Sequence, residues 1–303
     1  MNQQTLILSP TFSTRSGTLR VFGRLIVLLS VLSALAFAPA PVAARQLEVG
    51  VPRAQHPWGQ FKIGAWKRVR TQTEVLDDKG RVVSSSSTET TTKLVDVDDS
   101  GYTLRVDVVV EVAGKRFASQ PQVVRRGYAG EAEGQMVSVK RSNDGVVNVN
   151  GQKIPCQVRE ITVDTETGKR ISTIYYSDKF SPYVLKRETA CLDAEGKATD
   201  CNSQVDVVAV DMPCKVRSET KSASHVRIVS QQGKGSVLTL EVHVADIPGG
   251  VVSHSSKETD ENGRIVRRST LELLDYGPGN GDDADAQMVR KIYTRVRNRK
   301  ATR

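Results

Sequence analysis

From Gly101 the chain alternates apolar and polar side chains. Tyr102, Leu104, Val106, Val108, Val110 and Val112 fall on one side and Thr103, Arg105, Asp107 and Glu111 on the other, with Val109 out of step. Period two over a dozen residues predicts a strand with one buried and one wet face. Leu238, Leu240, Val242 and Val244 repeat the pattern against Thr239, Glu241 and His243, which places those polar residues on a wet face. Further β-rich runs occupy Trp66 to Leu76, Lys115 to Arg126, Gln135 to Lys140, Lys153 to Val163 and Arg170 to Tyr176. They continue at Tyr183 to Cys191, Gln204 to Val210, His225 to Ser230 and Arg264 to Leu274. Ser84 to Thr92 (SSSSTETTT) reads as an exposed, Thr-rich strand rather than a linker, because Thr favours extended backbone without demanding a core. No 3.6-residue apolar stripe occurs between Arg45 and Tyr276. The prediction is an all-β body: a curved antiparallel sheet or open half-barrel built from long hairpins.

Three turns share a form: Asp77-Asp78-Lys79-Gly80-Arg81-Val82, Thr165-Glu166-Thr167-Gly168-Lys169-Arg170-Ile171 and Asp260-Glu261-Asn262-Gly263-Arg264-Ile265. Each places Gly where a hairpin needs positive φ, then a basic and a β-branched residue that begin the return strand. The likeness fits an internal duplication, and equally the reuse of one good turn.

Leu25 to Ala44 (LIVLLSVLSALAFAPAPVAA) is an apolar run preceded by Arg15, Arg20 and Arg24 that breaks into small residues before Arg45. This reads as a signal peptide, residues 1–44, cleaved after Ala44 and serving the general secretory route to the periplasm or envelope. Its apolar core is shorter than the roughly 20 residues a spanning helix needs; the alternative is an uncleaved anchor. The β body then covers 45–276, as one lobe or as two (45–210 and 211–276). A Gly- and Asp-rich linker and a basic tail fill 277–303. In the tail, Met288, Ile292 and Val296 recur every fourth residue, the spacing of a short basic amphipathic helix or of a solvated end.

Charge changes the picture once it is located. The formal net charge is +9, but the leader holds three Arg and no acid, and Gln287 to Arg303 holds seven Lys or Arg and no acid. Taking those three and seven from nine leaves the body at −1, so the basicity is a local tail and no nucleic-acid-binding face is predicted. Four cysteines, Cys156, Cys191, Cys201 and Cys214, follow the leader, and in an exported chain an even count favours disulfides. Three pairings are open. A bridge between Cys191 and Cys201 across the turn LDAEGKATD is geometrically easy and would leave Cys156, in Ile154-Pro155-Cys156, with Cys214, in Met212-Pro213-Cys214.

Chemistry-bearing motifs are sparse. There is no Gly-x-Ser-x-Gly elbow, no phosphate-cradling glycine loop and no His-Glu-x-x-His. The richest polar cluster is Glu241, His243, Asp246 and His254; the spacing suits surface polar residues better than a metal or acid–base site. No catalytic residue, metal site or cofactor is predicted. His56 to Trp66 (HPWGQFKIGAW) concentrates both tryptophans, as a plug over one end of the sheet or a lip for an apolar ligand.

The segment Ile174-Tyr175-Tyr176-Ser177-Asp178-Lys179-Phe180-Ser181-Pro182-Tyr183-Val184-Leu185-Lys186-Arg187-Glu188, with Asn150 to Cys156 before it, resembles the strand–turn–strand of lipoprotein-carrier-like (LolA/LolB-like) envelope proteins. Trp58 to Arg70 and the Thr-rich strand are similar to exported, uncharacterised proteins of planctomycete type. The carrier resemblance implies a half-barrel whose concave apolar face holds acyl chains, although the helices that plug true carriers have no counterpart here. The expectation is therefore a non-enzymatic envelope protein that binds a lipid, a lipoprotein acyl chain or an envelope partner. Tyr102, Leu104, Val106, Val108 and Val110, with Leu238, Leu240 and Val242, are the candidate ligand-facing residues. The alternatives are an adhesive module touching anionic envelope polymer through the basic tail, and, ranked lower, an exported hydrolase.

Overall fold

The computed structural model describes residues 50–280. The expected export leader, the basic tail and its helix lie outside these residues. The described chain is all-β: β1 (Trp66–Leu76), β2 (Val82–Asp98), β3 (Gly101–Val112), β4 (Lys115–Ala118), β5 (Gln122–Arg126), β6 (Val137–Val149) and β7 (Gln152–Thr165). There follow β8 (Gly168–Tyr176), β9 (Val184–Asp193), β10 (Ser203–Val216), β11 (Glu219–Gln232), β12 (Gly235–His243), β13 (Val251–Thr259) and β14 (Ile265–Gly277). All fourteen join one antiparallel, unclosed, curved sheet in the order β4-β3-β2-β1-β14-β13-β12-β11-β10-β9-β8-β7-β6, with β5 beside β4 on the edge of β3. Every pairing but one joins sequence neighbours or strands sharing β3. The exception, β1 with β14, brings the start of the body to its end. Val210 and Asp211, where a second lobe could begin, lie inside β10 at a bulge.

Opposed residues in an antiparallel ladder project from the same side, so register carries a face across the sheet. One row runs Val110–Thr88–Thr71–Leu271–His254–Glu241–Val226–Val207 and defines the inner face. The alternate row, Val109–Glu89–Arg70–Glu272–Ser253–Val242, is outer. There Arg70 bridges Glu89 at 2.9 Å and Glu272 at 3.4 Å, a solvated arrangement that explains why Val109 breaks the alternation without harm. The Thr-rich strand is not simply exposed: from Ser86 to Thr92 it is half-buried, with Ser86, Thr88, Thr90 and Thr92 on the inner side.

A single sheet has no second layer to bury its face, and three segments supply one. The tip of the β6–β7 hairpin brings Val149, Ile154 and Cys156 against Leu185, Val207 and Val226. The β10–β11 end packs Val216 and Ala223 with Val244, Ile247 and Val252. Residues 50–65 cover the rest: Val51 joins Ile161, Val163 and Ile174, while Trp58 and Ala65 pack on Leu94. A side chain such as Leu94, with no accessible surface, contributes about 2 kcal/mol through burial.

The turns separate by chemistry. In Asp77–Arg81 and Asp260–Arg264 the aspartate accepts the backbone N–H of the last residue (2.9 and 3.0 Å) and its guanidinium Nε (2.9 Å in both). Those bonds, the backbone one foremost, hold both carboxyls below the usual range. Asp193–Lys197 repeats the backbone bond at 2.8 Å. The Thr165 turn has no leading Asp and is a tighter loop in which Thr165 pairs with Gly168. A Cβ on Gly168 would lie 2.0 Å from the Leu192 carbonyl oxygen.

Cys191 and Cys201 are disulfide-bonded across their turn, as expected. Cys156 and Cys214, which that bridge would have left to each other, are free. Cys156 is buried in the β6–β7 tip cluster, where burial pushes its thiol pKa up, and Cys214 packs against the β10–β11 cluster.

Candidate functional site

The inner face meets the segment 50–65 at one end. This plug begins with a short 3-10 turn, Arg53–Gln55, and is tied to four separate parts of the sheet. Arg159 donates to the Gly50 carbonyl (2.7 Å) and the Tyr176 hydroxyl donates to Gln55. Gln60 Nε2 donates to the Ala245 carbonyl (2.9 Å), and the Gly64 and Leu94 backbones bond across Gly64–Ala65 (2.8 and 2.7 Å). Trp58, only 8% exposed, lies against Gly249, whose φ is +73° and where a Cβ would approach the indole to 2.8 Å. The Trp-rich segment therefore takes the place that the plug reading predicted.

His56 sits at the centre of the plug, its ring 4.8 Å from Tyr102 and 5.0 Å from Tyr128. Its Nδ1 accepts the backbone N–H groups of Trp58 and Gly59, both at 3.2 Å. Burial, and then the charge of Arg187, lowers its pKa to about 4, so the ring is neutral at pH 7.

The polar cluster expected at a wet surface is on the inner face instead. Glu241 and His243 are 17% and 16% exposed and bond through Oε2 and Nε2 at 2.7 Å. His254 is the direct cross-strand partner of Glu241; burial lowers its pKa against the opposing pull of that carboxylate. Lys67 joins from β1, donating to the Val251 carbonyl at 3.2 Å, and burial brings its pKa down to about 8. Asp246 stands apart in the β12–β13 turn, 3.5 Å from Lys221. Among the described residues no group of three or more His, Cys, Asp or Glu is placed to hold a metal ion.

The ligand-facing candidates divide. Tyr102 and Leu104 are inner and packed against the Trp58 cluster. Val106, Val108 and Val110 are inner and half-buried, opposite Thr92, Thr90 and Thr88. Leu238, Leu240 and Val242 lie on the outer side: Leu240 is 52% exposed, and Val242 packs against the β10–β11 cluster. The sheet therefore brings the first five together on its inner face and leaves the other three on the opposite one. Away from the valines that face is rich in hydroxyls, among them Thr71, Thr73, Thr239, Ser256 and Ser269, the last two bonded at 2.7 Å. A cleft of 440 Å³ opens between Phe180, Asp211, Ser222, His243 and Asp246 at the β10–β11 end. Sequence reasoning missed Lys67, His56 and Arg187; the parity Leu185, Arg187, Thr189, with a cation between a core leucine and a threonine, was the available signal.

No protein-family model matches this chain, and no curated protein matches its sequence. Among solved structures it is similar to a candidate lipoprotein of Parabacteroides distasonis, with 12% identity, a TM-score of 0.29, and coverage of 73% of this chain and 98% of that one. It is also similar to a candidate exported protein with a YmcC-like fold from Bacteroides fragilis, with 9% identity, a TM-score of 0.28, and coverage of 72% and 98%. Likeness at that level does not extend either protein's description to this chain.

Proposed function

We propose that this is an exported, non-enzymatic binding protein that receives an amphiphilic ligand, a lipid or lipoprotein acyl chain, or an envelope partner, on the inner face of its sheet. The observation that supports it is the change along β3: half-buried Tyr102 and Leu104 pack against the plug, whereas Val106, Val108 and Val110, equally half-buried, join no core cluster and lie beside a run of hydroxyls. Valines on one strand and hydroxyls on its neighbours suit an apolar chain that carries a polar group. Export rests on the leader and on the disulfide. Native mass spectrometry of the protein released gently from the envelope tests the reading. A stoichiometric adduct, extractable as lipid and lost in Val108→Asp, is the expected result. A clean apo mass in every preparation would overturn it.

A further inference from the structure

The most unusual charge on the inner face is Arg187. Register places it in the row Arg159–Ile174–Arg187–Val205–Ile228, between fully buried Ile174 and part-buried Val205. The neighbouring rows carry Leu185, Ser172, Thr189 and Ser203, with no carboxylate; the nearest inner acid towards β12, Glu241, is engaged by His243. Among the described residues Arg187 has no ion-pair or hydrogen-bond partner, whereas Arg159 holds Gly50 and Gln157, and Arg125 holds Asp98. Arg170, on the same side of β8 and opposite Cys191, adds like charge, and the charge of Arg187 in turn acts on His56. Arg187 is half-buried on the inner face.

An arginine stays charged at any working pH, and a guanidinium partly withdrawn from water among apolar neighbours, without a counter-charge, is unfavourable. A bound oxyanion removes that penalty, and the planar fork presents two parallel N–H donors to it. The charge of Arg187 is felt at His56 in the plug. Its Nδ1 is occupied as an acceptor, so the proton of the neutral ring resides on Nε2, which is a donor.

We propose that Arg187 anchors an oxyanion-binding site on the inner face, which takes the phosphate or carboxylate group of a ligand. The inference rests on the proposed function in one respect, that ligands reach this face, and it identifies their charged group.

Calorimetric titration of the exported chain with inorganic phosphate, at constant ionic strength, tests it. Saturable binding is expected, weakened about tenfold or more in Arg187→Gln, weakened less in Arg187→Lys, and unchanged in Arg227→Gln, an outer-face control paired with Asp206. Should Arg187→Gln fail to fold, phosphate should still shield Arg187 of the unaltered protein from phenylglyoxal, read by peptide mapping. Competition by phosphatidylglycerol vesicles, but not phosphatidylcholine vesicles, would assign the group to a lipid headgroup; saturable phosphate binding without such competition would assign it to a soluble anion. No saturable binding, equal binding in Arg187→Gln, or equal labelling with and without phosphate would overturn the site. A native-mass adduct without phosphate binding would remove this inference alone, and phosphate binding without any adduct would remove the lipid reading alone.

Discussion

At one end of β3, Tyr102 and Leu104 pack against the cluster of Trp58 and Leu94; a few residues on, Val106, Val108 and Val110 of the same face are opposed by threonines and join no core cluster. Strand, register and face are shared, so the difference comes from what the rest of the chain lays over each part. Stability at the plugged end depends on residues 50–65, which belong to no strand. The open stretch lies outside the core clusters and contributes less to stability. On the proposed function, stability and binding fall to different lengths of one strand.

The largest effect should come from emptying the plug. Trp58→Ala should cost about 3–5 kcal/mol in urea unfolding, the range for a buried aromatic that leaves a cavity. Gly249→Ala should act in the same direction, because its Cβ would meet the indole at 2.8 Å on a backbone with φ +73°. Equal losses from Val108→Ala would break the contrast between the two stretches.

Acid should act next, again at the plugged end. His56 has a folded pKa of about 4, below its unfolded value of 6.5. Its contribution is therefore fully present above pH 6.5 and is lost as pH falls towards 4, by roughly 3 kcal/mol at most. His254, lowered by burial, adds the same sign. His56→Gln should flatten the stability–pH slope between these limits, and an unchanged slope would mean that the plug does not set acid sensitivity.

The smallest effect sharpens the comparison from the open side. Val108→Thr keeps a β-branched side chain that suits a half-buried strand and extends the hydroxyl run, so unfolding free energy should fall by about 1 kcal/mol or less while lipid adduct falls. A large stability loss with adduct retained would reverse the assignment of roles.

Most strands were legible because alternation is local: β1 begins and ends at Trp66 and Leu76 as read, and β3 follows its apolar–polar beat from Gly101 to Val112. The plug was legible from two tryptophans in one segment, and the Cys191–Cys201 bridge from the turn between them. The faces of β12 were not. Leu238, Leu240 and Val242 against Thr239, Glu241 and His243 set the period correctly, but hydrophobicity alone assigned the apolar set to the ligand-facing side. In the sheet, Glu241 is opposed by His254 and Val226 and bonded to His243, and Lys67 reaches the same interior, so polar groups occupy that side, with His243 Nδ1 left unpaired, while Leu240 meets solvent. Arg187 escaped notice for a related reason: an arginine in a strand reads as surface until its row is known.

By itself the sequence determined which segments extend and where they turn, since period two, β-branched residues and Asp-x-x-Gly turns act within a few residues of one another. Tertiary structure decided which side faces in, which thiols find partners and which cation is left without one. Those properties pass from strand to strand through register, and through the single pairing of β1 with β14, between residues some two hundred positions apart.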